Sequence, residues 1–111
     1  TDLHTGSMNG GMKDILNVMS KFINLDMPVS EVIAATTWRP AKYIQRLNLG
    51  HLSVGSEADI TLLQLQKGNF GFIDTNGKKM KGDQKLICEM TIRNGKVVYD
   101  LNGLASPDWN E

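Results

Sequence analysis

Apolar positions in the first half of the chain recur with a helical period. Met12, Ile15, Leu16, Met19, Phe22 and Ile23 return at spacings of three and four, which predicts one shared helix face. Lys13, Asp14, Asn17, Ser20 and Lys21 fall on the other side. Gly10-Gly11 gives this helix a flexible lead-in, and Asp26-Met27-Pro28 interrupts it at the far end. Pro28 suits the first turn of a second helix, where a missing N–H costs nothing. That helix carries Val32, Ile33 and Ala35 and loosens at Thr36-Thr37. Pro40 opens a third, short helix through Tyr43, Ile44 and Leu47, ended by Asn48-Leu49-Gly50.

Near Gly50 the period changes to two. Ala58 to Leu65 reads as a buried strand with Ile60, Leu62, Leu63 and Leu65. Leu86, Cys88, Met90 and Ile92 alternate with Ile87, Glu89, Thr91 and Arg93, the pattern of a strand with one wetter face. Asn94-Gly95 then separates it from Lys96-Val97-Val98-Tyr99. Asn-Gly between two strand patterns is a strong hairpin signal, because both turn residues must take positive φ. Asp74-Thr75-Asn76-Gly77 predicts another turn, between Phe70–Ile73 and Lys78–Met80. The tail from Asn102, with Pro107 and Trp109, reads as irregular, and there are no internal repeats or low-complexity runs. Helices followed by a segregated run of strands predict an α+β arrangement with a small antiparallel sheet of about three to five strands.

Composition narrows the classes. The 111 residues suffice for one ordinary domain with a modest core, and 41% hydrophobic with 22% charged residues is globular usage. Twelve basic residues balance twelve acidic ones, so neither a nucleic-acid partner nor an anionic membrane surface is indicated. The apolar runs are far too short to span a bilayer and no secretory signal is visible. One cysteine, Cys88, precludes an internal disulfide framework and permits a reducing compartment. A cytoplasmic location is the default expectation. The chain opens on Thr1-Asp2-Leu3-His4 without an initiator methionine, and we read it as a fragment of a longer protein.

The segment Val32-Ile33-Ala34-Ala35-Thr36-Thr37-Trp38-Arg39-Pro40-Ala41-Lys42 leads into Leu49-Gly50-His51-Leu52-Ser53-Val54-Gly55-Ser56-Glu57-Ala58-Asp59-Ile60. A Thr-Ile-Arg-Asn-Gly-Lys-Val-Val-Tyr hairpin follows at 91–99. In order and spacing these elements resemble the ending of the amidohydrolase superfamily, with its Ala-Thr-x-x-Pro-Ala-Lys helix, Leu-Gly, then Val-Gly-x-x-Ala-Asp. The Thr-Asp-Leu-His-Thr-Gly-Ser-Met-Asn start is most similar to the dihydroorotase-like amidohydrolase/deacetylase group. The resemblance covers the chain to about Gly103.

That resemblance implies the C-terminal fragment of a (β/α)8-barrel metallohydrolase. Residues 1–50 would hold the end of the last barrel strand and two to three helices. Residues 51–103 would give antiparallel strands of the small composite β-sandwich, and 104–111 the irregular tail. Such a barrel alone needs roughly 250 residues. The family's His-x-His metal pair, bridging lysine and later histidines have no counterparts here. The missing barrel portion is therefore the first partner expected, with a homo-oligomer the other.

Asp2 is the sharpest candidate. The resemblance places it at the carboxyl end of the eighth barrel strand, as a metal ligand and catalytic residue that takes a proton from the attacking water and passes it to the leaving nitrogen. A carboxylate suits both roles, being a hard ligand and a tunable base. Without the resemblance it reads as a solvated aspartate near a chain end. His4 shares a face with Asp2 in an extended segment, yet two ligands make a weak site. His4, Ser7 and Asn9 are instead candidate substrate-loop residues. The Gly6–Gly11 run lacks P-loop order, so a loop beside a barrel mouth explains it better than phosphate binding.

Other chemistry-bearing residues have plainer readings. Cys88 is expected as a buried, inert thiol on an apolar strand face. His51 is expected at the surface in a turn. Asp59, in Gly-x-x-Ala-Asp, is expected to shape the turn into its strand. Lys78, Lys79, Lys81 and Lys85, diluted by Asp74 and Asp83, read as a solvated hairpin edge that discourages strand pairing.

The function expected from the resemblance is hydrolysis of an amide or cyclic amide C–N bond, in the parent protein, with zinc or another divalent metal as cofactor and a small-molecule amide as substrate. The isolated chain is expected to be inactive and to bind no metal alone. The alternative is a non-catalytic structural or accessory fragment that associates with a partner or with itself.

Overall fold

The computed structural model describes His4, Thr5 and residues 10–111. The elements run α1 (Ile15–Asn24), α2 (Val29–Thr36), α3 (Trp38–Tyr43), β1 (Ile60–Ile73), β2 (Lys79–Arg93) and β3 (Lys96–Asp100). The strands form one sheet in the order β1-β2-β3. Helices followed by an antiparallel sheet match the α+β expectation. The chain forms two compact units, one from the described residues of Thr1–Thr36 with Leu65–Ile87, the other from Thr37–Gln64 with Cys88–Glu111. Among the described residues no helix is long and apolar enough to cross a membrane.

In the first unit, α1 begins where the Asp14 carboxylate accepts the N–H of Asn17 at 2.8 Å, satisfying a donor that the first turn leaves orphaned. It ends in a Schellman turn. The Asp26 N–H reaches the Ile23 carbonyl at 3.1 Å, the Met27 N–H reaches that of Phe22 at 3.0 Å, and Asp26 takes φ 68. The buried face is Met19, Ser20 and Ile23, with Leu16 half-buried beside them. This corrects the predicted face by about one position. Ser20 is 1% exposed, whereas Ile15 and Phe22 are 44% and 49% exposed. Among the described residues of this unit the buried apolar side chains are Met19, Ile23, Val32, Phe72 and Leu86, each contributing about 1.5–3 kcal/mol of burial.

Ser20 is admitted to that interior because its hydroxyl is fully used. It donates to the Leu16 carbonyl at 2.6 Å and accepts the Leu86 N–H at 3.0 Å. One turn later, Asn24 Oδ1 accepts the N–H groups of Asp83 and Gln84 at 3.0 and 3.2 Å, while its Nδ2 donates to the Gln84 carbonyl at 2.8 Å. The helix therefore bonds the edge of β2 through side chains where another strand would use backbone. A Cβ on Gly82 would lie 2.6 Å from Asn24 Cγ, so glycine is what lets Asn24 come so close.

β1 and β2 are longer than the pattern predicts. The segments expected at Ala58–Leu65 and Phe70–Ile73 run together as one strand, Ile60–Ile73. The Phe70 ring reaches over Gly68, where a Cβ would meet Cζ at 3.0 Å, and the Lys85 ammonium stands 5.7 Å from the centroid of that ring. The predicted 74–77 turn is present. Asp74 Oδ1 accepts the N–H groups of Asn76 and Lys78, both at 2.8 Å, and Gly77 takes φ 75.

In the second unit, α3 runs Trp38–Tyr43, with Pro40 in its first turn, and stops earlier than predicted. Gln45 takes φ 61, and the Gln45 and Arg46 N–H groups cap the carbonyls of Lys42 and Ala41 at 3.0 and 2.8 Å. Tyr43, Ile44 and Leu47 are 90%, 65% and 61% exposed. The predicted Asn94-Gly95 hairpin is present, with φ 50 and 77, and β2 pairs antiparallel with β3 around a bulge between Thr91 and Ile92. Ala41 and Met90 are this unit's buried apolar residues. The tail beyond β3 is irregular, as expected, and Trp109 is 97% exposed.

Candidate functional site

Asp2, Ser7 and Asn9 lie outside the described residues. His4 is described and exposed. What the structure defines is the segment that joins this stretch to α1. Lys21, in the last turn of α1, donates from Nζ to the carbonyl of Gly11 and, at 2.7 Å, to that of Ile73. Gly11 is buried, and a Cβ there would lie 2.5 Å from the Ile73 carbonyl oxygen. The reading of Gly10-Gly11 as a lead-in to the helix thus needs an addition, because the second glycine is a contact point. Sequence pattern placed Lys21 simply on the wet side of α1. The adjacent glycine pair was the one mark of a close backbone approach.

Beside this anchor is an open cleft of about 300 Å³ lined by Lys21, Leu25, Phe72, Ile73, Asp74, Lys78, Lys79 and Met80. It carries ammonium groups and apolar surface but no acid–base pair, since the single carboxylate, Asp74, is committed to its turn. Among the described residues no group of three or more His, Cys, Asp or Glu side chains could hold a metal ion. These residues do not by themselves fit a metal centre.

The remaining candidates are structural. His51 does more than occupy the surface. Its Nε2 donates to the Leu47 carbonyl at 2.7 Å, which leaves Nδ1 to accept from Ser56 Oγ at 3.0 Å and from the Ser53 N–H at 3.4 Å. Its ring also packs edge-on against Trp38 at 5.3 Å. Asp59 acts at long range rather than on its own turn, accepting the Asn94 N–H at 2.8 Å while the Ala58 carbonyl accepts the Gly95 N–H at 3.0 Å. Cys88 is half-buried rather than buried, with Sγ 3.4 Å from Thr91 Oγ1.

Comparison with known proteins places these elements. A deacetylase of Brucella anthropi is 40% identical over 77 residues, 69% of this chain and 19% of its own. A deacetylase of Agrobacterium fabrum is 39% identical over 77 residues, with the same two shares, 69% and 19%. Among solved structures, an adenine deaminase matches with a TM-score of 0.83 and 27% identity, over 90% of this chain and 27% of its own. A dihydroorotase matches with a TM-score of 0.80 and 30% identity, over the same shares, 90% and 27%. The chain thus spans 19% of the length of the curated relatives it matches. The sequence model of the amidohydrolase family extends over residues 1–98, taking in all three helices, β1, β2 and most of β3, and the chain belongs to that family.

Proposed function

We propose that the protein of which this chain forms part hydrolyses an amide or cyclic amide C–N bond of a small molecule. The observation that carries this reading is the family match over residues 1–98, which includes the Asp2 stretch. A deacetylase, a deaminase and a dihydroorotase are the named relatives and neighbours, and attack of water on a carbon bonded to nitrogen is chemistry all three can share. Asp2 is the general acid/base in this reading. Its carboxylate takes a proton from the attacking water and delivers it to the departing nitrogen, a role worth about 10²–10⁴ in rate. His4, Ser7 and Asn9 are the candidate substrate-loop residues of this reading. A divalent metal, with zinc the first choice, would make the water more acidic and polarise the carbonyl, and ligands other than Asp2 would come from outside this chain.

The test compares the whole protein with the 111-residue chain on N-acetyl amino acids, p-nitroacetanilide and dihydroorotate, with metal content measured for both. The whole protein should hydrolyse at least one probe and the chain none. Asp2→Asn in the whole protein should remove about 10²-fold or more of kcat. Full activity in a folded Asp2→Asn protein would overturn the assignment of Asp2. Stoichiometric metal and turnover in the short chain would overturn the claim that ligands lie elsewhere.

A second reading draws on the apolar side chains that the second unit leaves in solvent. Tyr43, Leu52, Val54 and Trp109 are each at least 77% exposed, which suits a structural piece that associates with the barrel portion or with itself. Sedimentation of the chain alone and with the separately expressed remainder distinguishes the two. A chain that stays monomeric in both mixtures rules this reading out.

A further inference from the structure

We propose that Asn76 is a self-modification site: its side-chain amide is lost through a succinimide formed with the backbone nitrogen of Gly77, faster than at either other described Asn-Gly pair. The inference stands apart from the reaction proposed for the whole protein. Asn-Gly occurs at 9–10, 76–77, 94–95 and 102–103, and the first of these lies outside the described residues. In such a pair the glycine nitrogen gives its proton to hydroxide or water and bonds to the asparagine Cγ. The Cγ–Nδ2 bond breaks and ammonia leaves. Water then opens the imide ring, at one carbonyl to give aspartate and at the other to give isoaspartate. Water is the sole co-reactant, and nothing is oxidised or reduced. Glycine hinders its own nitrogen least of all residues, so the three described pairs share one intrinsic chemistry and the fold ranks them.

Access does not separate them. All three asparagines are exposed, and a Cβ on Gly77 or Gly95 would meet no described atom within 4 Å. Attachment does. At Asn94-Gly95 both backbone nitrogens are committed to the start of β1, Asn94 to Asp59 Oδ1 at 2.8 Å and Gly95 to the Ala58 carbonyl at 3.0 Å. The Gly95 nitrogen reaches Cγ only if the β2–β3 turn lets go of a distant part of the chain. At Asn102 the leaving group itself is held, because Nδ2 donates to both carboxylate oxygens of Glu89 at 2.8 and 3.0 Å. The N–H groups of Leu104 and Ala105 fasten the same loop to the Asp100 carboxylate, each at 2.9 Å.

The hold on Asn76-Gly77 is local. The Gly77 N–H donates to the Asp74 carbonyl at 3.2 Å, the longest of these bonds, and the Asn76 N–H donates to Asp74 Oδ1 at 2.8 Å. Both end on Asp74, inside the same turn. A single opening of the β1–β2 tip frees the nitrogen while the strands stay paired, and exposed loop tips open at the least cost. The product then alters the turn. It adds a carboxylate two residues from Asp74. Isoaspartate also carries the main chain through its side-chain carbon, which lengthens the segment between the Asn76 and Lys78 N–H groups. Asp74 Oδ1 accepts at both ends of that segment, so the isoaspartyl form gives up one of the two bonds.

The experiment incubates the whole protein at mildly alkaline pH, folded and in urea. Peptides containing Asn76, Asn94 and Asn102 are followed by mass spectrometry, with aspartyl and isoaspartyl forms separated by chromatography. In urea the three pairs should convert within about threefold of one another. In the folded protein Asn76 should convert about tenfold faster than either of the others, which corresponds to about 1.4 kcal/mol less opening free energy. Asp59→Ala should quicken Asn94 about fivefold and leave Asn76 unchanged, since one hydrogen bond is removed from one pair. Glu89→Ala should do the same for Asn102. Folded protein in which Asn94 or Asn102 keeps pace with Asn76 overturns the proposal, as does an Asn76 that converts only in urea. Asp59→Ala that leaves Asn94 unchanged, or quickens Asn76 equally, overturns the claim that these bonds set the order. The wild-type comparison decides the proposal even where a variant fails to fold.

Discussion

The Ser20 hydroxyl accepts the backbone N–H of Leu86 at 3.0 Å, a bond from the middle of α1 to the middle of β2. Asn24 makes the corresponding bonds to Gln84. The pairing works because the spacings agree. Four residues of helix rise about 6.0 Å and two residues of strand about 6.6 Å. Strand residues two apart also point their N–H groups to the same edge. A helix carrying Ser and Asn at i and i+4 can therefore dock on a strand edge in register.

Ser20→Ala should destabilise the fold by about 1–3 kcal/mol, because it leaves the buried Leu86 N–H without an acceptor and restores nothing. Urea denaturation checks this. A loss under about 0.5 kcal/mol would mean the N–H finds another partner or water.

Gly82→Ala tests the same junction from the strand side. A Cβ there would meet Asn24 Cγ at 2.6 Å, so Asn24 must turn away and give up its bonds to β2. The substitution should cost about as much as Asn24→Ala, and the two together should cost clearly less than their sum. Additive losses would show that Gly82 matters for some reason other than Asn24.

Asp59 ties the start of β1 to the β2–β3 turn through the Asn94 N–H. The bond is exposed, so Asp59→Ala should cost only about 1 kcal/mol overall. Its local effect should be larger. Amide exchange at Asn94 should quicken well beyond exchange at Leu86, and equal changes at both would show global rather than local loosening.

Asp100 receives backbone N–H groups at the base of the tail. The N–H of Ala105 is the largest influence, followed among the donors by that of Leu104, and together they hold the carboxyl below its ordinary value of 3.8. A carboxyl with a lowered folded pKa stabilises the protein above the unfolded value and loses that contribution as pH falls through the folded one. Asp100→Asn should be less stable than wild type near neutrality, with the difference closing below about pH 4. Unfolding midpoints across that range provide the check, and a gap that persists at low pH would count against it.

Much of this fold could be read from residue order. Asn94-Gly95 marks its turn because both residues need positive φ, and they adopt 50° and 77°. Asp74 similarly announces a turn that its own side chain closes. Asp26-Met27-Pro28 marked the end of α1, but the end of α3 was less visible, since Gln45 takes φ 61 where glycine would have flagged the stop. Ser20 was assigned to the polar side because periodicity sorts residues by type, while burial depends on whether a hydroxyl finds partners. Gly68 and Asn69, whose own strand preference is low, fall between the two segments expected as strand, yet β1 runs unbroken from Ile60 to Ile73. At the site, Asp2, Ser7 and Asn9 were legible only through resemblance. The Lys21 anchor was not legible at all, since a lysine on a helix exterior is ordinary until the carbonyls it meets are known.

Each compact unit is assembled from two separated segments, with residues 37–64 interposed in one and residues 65–87 in the other. This interleaving sets an order on synthesis. When Gln64 has been added on the ribosome all three helices exist, yet the strand segment that Ser20 and Asn24 hold has not been made. At about 5–20 residues per second the 23 residues from Leu65 to Ile87 take roughly one to five seconds to translate. Through that interval the nascent helices carry Met19, Ile23 and Val32 without their covering strands, a window in which a chaperone has something to bind. For the same reason no single cut divides this chain into two pieces that each fold.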